Sequence, residues 1–115
     1  MSGAIGEGSH TEGSGTSAIG AYSHAEGSST TTSNYGEHAS GKYNISNKTE
    51  YNYGNIVTDG TLFSIGVGVS DSTRENAFEV LTNGQVYIKG IGDYDGTNPT
   101  TSGVKSVQEV IEELT

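Results

Sequence analysis

The pentapeptide SHTEG at residues 9–13 returns as SHAEG at residues 23–27, and a looser third copy, HASG, occupies residues 38–41. The step is fourteen residues each time. His10, His24 and His38 therefore share one column, Thr11, Ala25 and Ala39 the next, then Glu12, Glu26 and Ser40, then Gly13, Gly27 and Gly41. The other half of the period also repeats, with AIGEG at residues 4–8 aligned under AIGAY at 18–22. A fixed period of this kind means that each copy is one small structural unit stacked on the next. Two short S/T-x-A-x-G-like segments per period predict two short strands and two tight glycine turns. Gly6, Gly13, Gly20, Gly27 and Gly41 then stand where the backbone reverses or approaches a neighbour closely.

The alternation within these strands predicts which side chains go where. Ala18, Ala25 and Ala39 point into a narrow coil, whereas Ser17, Ile19, His24 and Glu26 point outward. Ile5 and Ile19 stack on one face as a contact for partner chains. The segment SSTTTSNYG, residues 28–36, reads as an insertion that loosens the first half of the third unit.

Composition bears on how such a chain folds. Fewer than a fifth of the residues are Leu, Ile, Val or Phe, eighteen are Gly, and the net charge is −9. By composition alone that is the range of disordered chains, which lack enough apolar surface to offset the ordering entropy. A strict register argues for order, and partner chains that complete a thin core reconcile the two. The acidic charge is spread along the chain and disfavours nucleic acid and anionic membranes as partners. No apolar run is long enough to span a bilayer, no signal-peptide pattern follows Met1, and there is no cysteine. The start inside a repeat suggests a piece of a longer protein.

Four zones follow. Residues 1–44 hold the repeats, 45–60 form a polar connector rich in Asn and Tyr, 61–103 form a strand and hairpin region, and 104–115 form a helix. In the third zone Phe63, Ile65, Val67 and Val69 alternate with Ser64, Gly66 and Gly68, the pattern of a half-buried strand. Phe78 and Val80, then Asn83-Gly84, then Val86 and Ile88 predict a hairpin with an Asn-Gly turn. Three strands do not bury a core alone, which again implies partners. In the last zone Val104, Val107, Ile111 and Leu114 form an a/d seam, with Ser102 or Ser106 as its cap. So short a helix is marginal alone and suits a three-helix coiled coil; a helix packed on its own domain is the alternative.

The alternation of S-H-A-E-G with S-A-I-G resembles the head repeats of YadA-like trimeric autotransporter adhesins, in the SHAEG form seen in phage tail-fibre proteins. The stretch FSIGVGVSDSTRENAFEV with NGQVYIKG, within residues 63–90, is similar to segments of phage tail fibres and tail spikes. These resemblances imply a mainly β fold of trimeric, left-handed parallel β-roll repeats, followed by a small β-stranded trimeric region and a C-terminal three-helix coiled coil. They imply a homotrimer on a virion tail that binds a host cell-surface glycan or protein receptor. The rivals are the head of a bacterial adhesin on a cell surface, and a structural trimerising spacer beside a depolymerase. The expected trimer contacts are Ile5, Ile19, Phe63, Ile65, Val67, Val104, Val107, Ile111 and Leu114.

Chemistry is sparse in the pattern. His10, His24 and His38 stand about 4.8 Å apart in a stacked sheet. Such a column is a conceivable metal-ligand set or pH-responsive stack. The preferred reading is a solvated ladder in which His and Glu pair weakly, with no metal and no cofactor. Tyr22, Tyr35, Tyr43, Tyr51 and Tyr53 suit either a carbohydrate-binding surface or trimer-interface filler, and with the histidines the first three form the expected ligand surface. Asp93, Asp95 and Asn98 around Gly96 faintly match a calcium loop, but the closing glutamate of such a loop is missing, and a turn ended by Pro99 explains them more simply. Asn44-Ile45-Ser46 and Asn47-Lys48-Thr49 match the N-glycosylation pattern, which is empty in a phage or bacterial protein. No nucleophile, base and orienting group fall into a catalytic arrangement, so no enzyme is expected.

Overall fold

The structure is a computed structural model that describes residues 3–47 and 59–115. It is mainly β, with parallel sheets and one short C-terminal helix. Nine strands, β1 (Gly3–Ala4), β2 (His10–Ser14), β3 (Ser17–Ala18), β4 (His24–Ser28), β5 (Thr31–Thr32), β6 (His38–Lys42), β7 (Thr61–Val67), β8 (Asn76–Leu81) and β9 (Val86–Ile88), precede α1 (Val107–Glu113) among the described residues. The Tyr51/Tyr53 pair and Lys48-Thr49 of the second glycosylation pattern lie outside the described residues.

Successive strands of the repeat go alternately to two sheets. The short strands make a three-stranded parallel sheet in the order β1-β3-β5, and the long ones open a six-stranded sheet in the order β2-β4-β6-β7-β8-β9. The register is the period of the sequence: His10 pairs with His24, Thr11 with Ala25, and His24 with His38. Ala18, Ala25 and Ala39 are fully buried, and so is Thr32, which takes the place of Ala18 on the next rung. Glycine is required where rungs touch: a methyl group at Gly13 would lie 2.0 Å from the Gly27 carbonyl oxygen, and one at Gly27 equally close to that of Gly41.

The third unit is not loosened as its sequence suggests. Ser17 pairs with Thr31 and Ala18 with Thr32, the full fourteen-residue step. The threonines keep the register because their hydroxyls find partners inside: Thr32 Oγ1 donates to Ser23 Oγ at 2.9 Å, and Thr30 Oγ1 donates to the Glu26 carbonyl. Ser29 and Tyr43 adopt the left-handed conformation of Gly15, and Tyr22 that of Gly8, at φ between 43° and 56°. These non-glycine residues accept strain that the stacked neighbours hold in place.

The six-stranded sheet runs across the change in sequence character. β7 pairs parallel with β6, setting Phe63 beside His38 and Ile65 beside Ser40, so it continues the ladder after an intervening segment. β8 then pairs antiparallel with β7, and β9 with β8. The hairpin turn holds Gly84 at φ 85°, with its N–H donating to the Leu81 carbonyl.

The alternation in β7 is real, but its buried half is the polar one. Ser64, Gly66 and Gly68 face inward, in line with Ala39, whereas Ile65, Val67 and Val69 are exposed, Val69 to 68 %. A bulge at Leu62 turns that side chain outward as well. The interior beneath is lined by Thr61, Asn76 and Glu79, and the apolar core shrinks to Leu81, Tyr87 and Tyr94 with Val104 packed against them.

The helix is shorter than its pattern. Ser106 is the N-cap of a capping box with Glu109, so Val104 lies before the helix and packs on the chain's own core. Ile111 and Leu114 remain exposed, the latter to 82 %, and α1 contains no buried residue.

Candidate functional site: a histidine–glutamate ladder

Among the described residues, the feature that gathers chemistry-bearing side chains on an open face is the column predicted from the repeat. Parallel pairing in register stacks the imidazoles: ring centroids of His10 and His24 are 4.7 Å apart, and those of His24 and His38 are 4.6 Å apart with planes within 1° of parallel. Phe63 extends the stack, 5.2 Å from His38, because β7 takes the next rung. Glu12 and Glu26 stand two residues on from His10 and His24, hence on the same face of the sheet.

The two columns interlock. Glu12 Oε1 lies 3.5 Å from His10 Nε2 and 3.4 Å from His24 Nε2. Glu26 Oε1 lies 3.1 Å from His24 Nε2 and 3.2 Å from His38 Nε2. Each carboxylate thus bridges two rungs. The outer end is more open than the inner one: the His10 side chain is 58 % exposed and that of His38 38 %. His24 Nε2 itself is buried and makes no hydrogen bond among the described residues. Two three-residue groups, His10/Glu12/His24 and His24/Glu26/His38, each hold their ligand atoms within 4.8 Å of one another.

The tyrosines divide. Tyr22 and Tyr35 meet edge to face at 5.5 Å, and the Tyr22 hydroxyl donates to Glu7 Oε1, a bond that raises its pKa above the usual value. Tyr43 occupies the other corner of the repeat, where the Arg74 guanidinium sits 5.5 Å from its ring centre. Arg74 also donates to the carbonyls of Ser29 and Asn44.

The acidic loop closes on itself. Asp95 Oδ1 accepts from the N–H and hydroxyl of Thr97, and Asn98 Oδ1 from those of Thr100. These are turn contacts, and those from Thr97 hold the Asp95 carboxyl below its ordinary pKa.

Two buried carboxylates escaped the sequence reading. Glu37 Oε1 accepts from the N–H groups of Ser33 and Asn34 and from the Ser46 hydroxyl, whereas its Oε2 has no partner among the described residues. Burial pushes its pKa up to about 8. Glu79 accepts from the Tyr94 hydroxyl on Oε1, and from Thr61 and Asn47 on Oε2. Burial and the adjacent Glu79 carboxylate drive the Tyr94 pKa far above its ordinary value. A signal for Glu37 existed in the repeat: it stands in the column of Ser9 and Ser23, the serines whose hydroxyls close the same turn.

No protein-family model, no curated protein and no solved structure matches the chain.

Proposed function

We propose that this chain is a piece of a trimeric fibrous attachment protein, a phage or prophage tail fibre that binds a host surface glycan or protein through three copies of a weak site. In this reading the repeats form a left-handed parallel β-roll, three chains pack through their outward apolar residues, and α1 opens a three-helix coiled coil. Three weak contacts on one rigid body give avidity without new chemistry.

The observation that carries the reading is the inverted β7. Ile65, Val67 and Val69 face outward from a segment whose inward positions are Ser, Gly and Thr. Phe63 and Ile65 pair with Val80 and Phe78, which pair in turn with Val86 and Ile88, so the apolar face crosses three strands. A continuous apolar sheet face marks an interaction surface. Ile5 on the repeat and Ile111 and Leu114 on the helix are exposed as well.

Light scattering on the purified chain tests the assembly: the expected mass is three times 11.9 kDa. Ile65→Asp should lower it to one chain, since the side chain is outside the chain's own core. A β-rich chain of single mass overturns the trimer. Attachment is tested separately, by binding of fluorescently labelled trimer to a panel of bacterial strains. Saturable binding to a few strains supports it, and binding to none makes the piece a spacer.

A further inference from the structure

We propose that the inner half of the ladder, His24, Glu26 and His38, is a binding site for a divalent transition-metal ion of the zinc class, which ties neighbouring rungs of the sheet together. The site lies within one chain and does not depend on the trimer or on attachment.

The ligand atoms are near metal-holding distances. Two atoms bound ~2.0–2.1 Å from a tetrahedral zinc stand about 3.3–3.4 Å apart. Glu26 Oε1 is 3.1 Å from His24 Nε2 and 3.2 Å from His38 Nε2, so both imidazole–carboxylate edges of such a tetrahedron are close to formed. The third edge, between the two imidazoles, has to close, because the rings are parallel and their in-plane lone pairs do not converge. Closing it takes torsion changes in both side chains, which are 30 % and 38 % exposed. His24 Nε2 is the atom in most need of a partner: buried, flanked by two carboxylate oxygens, and without a hydrogen bond among the described residues.

The donor set selects the ion. Two imidazole nitrogens and one carboxylate oxygen suit Zn²⁺, Ni²⁺ or Cu²⁺, whereas Ca²⁺ and Mg²⁺ want oxygen alone. Three protein ligands leave a fourth position for water or for a group from outside. The stacked Phe63 caps the His38 end of the column.

The ladder also sets the stoichiometry. The outer group, His10/Glu12/His24, and the inner one share His24 Nε2, which has one lone pair. The two groups exclude one another, so each chain holds one ion. The inner group takes it, since its distances are shorter and its side chains more enclosed.

The test is isothermal titration of tag-free protein with Zn²⁺ alone in a chelator-free buffer, with circular dichroism to show that each variant is folded. The expected result is saturable binding of one ion per chain. Removing a ligand should cost at least the ~10–100-fold that loss of an outer-shell partner costs, so His24→Ala, His38→Ala and Glu26→Gln all weaken binding by that factor or more. His10→Ala should leave the affinity within about twofold, because His10 is outside the inner group. Absence of saturable binding up to ~1 mM Zn²⁺ overturns the site. So does a folded His24→Ala protein that binds as tightly as the parent, or a His10→Ala protein that loses as much as His38→Ala.

Discussion

The substitution Glu37→Gln should abolish a specific part of the protein's pH-dependent stability. The side chain is fully buried, and its pKa rises from the ordinary 4.5 to about 8, chiefly because burial disfavours the charged form. The hydrogen bonds from Ser46, Asn34 and Ser33 pull the other way and do not overcome burial. Below pH ~4.5 the carboxyl is protonated in both folded and unfolded chains, and its contribution to stability is fully present. Between ~4.5 and ~8 the unfolded chain has released a proton that the folded chain keeps, so each unit of rising pH favours unfolding by about 1.4 kcal/mol. Above the folded value both states are ionised and the loss is complete, at about 5 kcal/mol per chain. The amide that replaces the carboxyl cannot titrate, and its carbonyl oxygen can accept the same three hydrogen bonds. Urea unfolding of both proteins from pH 4.5 to 9 measures the effect, since all other titrations cancel in the difference. The parent should lose stability relative to the variant steadily up to pH ~8 and then run parallel to it. Curves parallel throughout would refute the account, because the carboxyl would then share one pKa in both states. A constant offset added to the expected slope would not, for it reports only how well an amide fits the space beside Oε2.

Two further substitutions probe the close contacts. Gly27→Ala places a methyl group 2.0 Å from the Gly41 carbonyl oxygen at a residue with φ 107°, so thermal unfolding should show a loss exceeding ~4 kcal/mol, or no folded protein. Tyr94→Phe removes the hydroxyl that donates to Glu79 Oε1 at 2.6 Å and leaves the ring packed against Tyr87; denaturant unfolding should report a loss of about 1.5–3 kcal/mol.

Much of this architecture was legible because a period is a register. Once His10, His24 and His38 fell in one column, the pairing of β2, β4 and β6, the buried alanines and the crowded glycines followed. Parallel rungs must repeat at the spacing of the sequence. The Asn83-Gly84 turn and the Ser106 cap were legible for another reason: each is decided within a few residues by local backbone geometry. Where the local pattern changed without changing length, in residues 28–36, composition misled, and the register held.

What the tertiary structure alone decided was which side of each strand faces in. Period-two alternation in residues 61–69 separates Phe63, Ile65 and Val67 from Ser64, Gly66 and Gly68, but it carries no direction. The direction comes from β6, whose Ala39 already points inward and whose pairing with Ser64 carries that side across. The buried acids belong to the same class. Glu79 is satisfied by Thr61, Asn47 and Tyr94, which are 15 to 32 residues away in sequence, so nothing near it announces that it is interior. A repeat fixes contacts between equivalent positions. Contacts between non-equivalent ones depend on where the chain returns, and only the folded molecule supplies that.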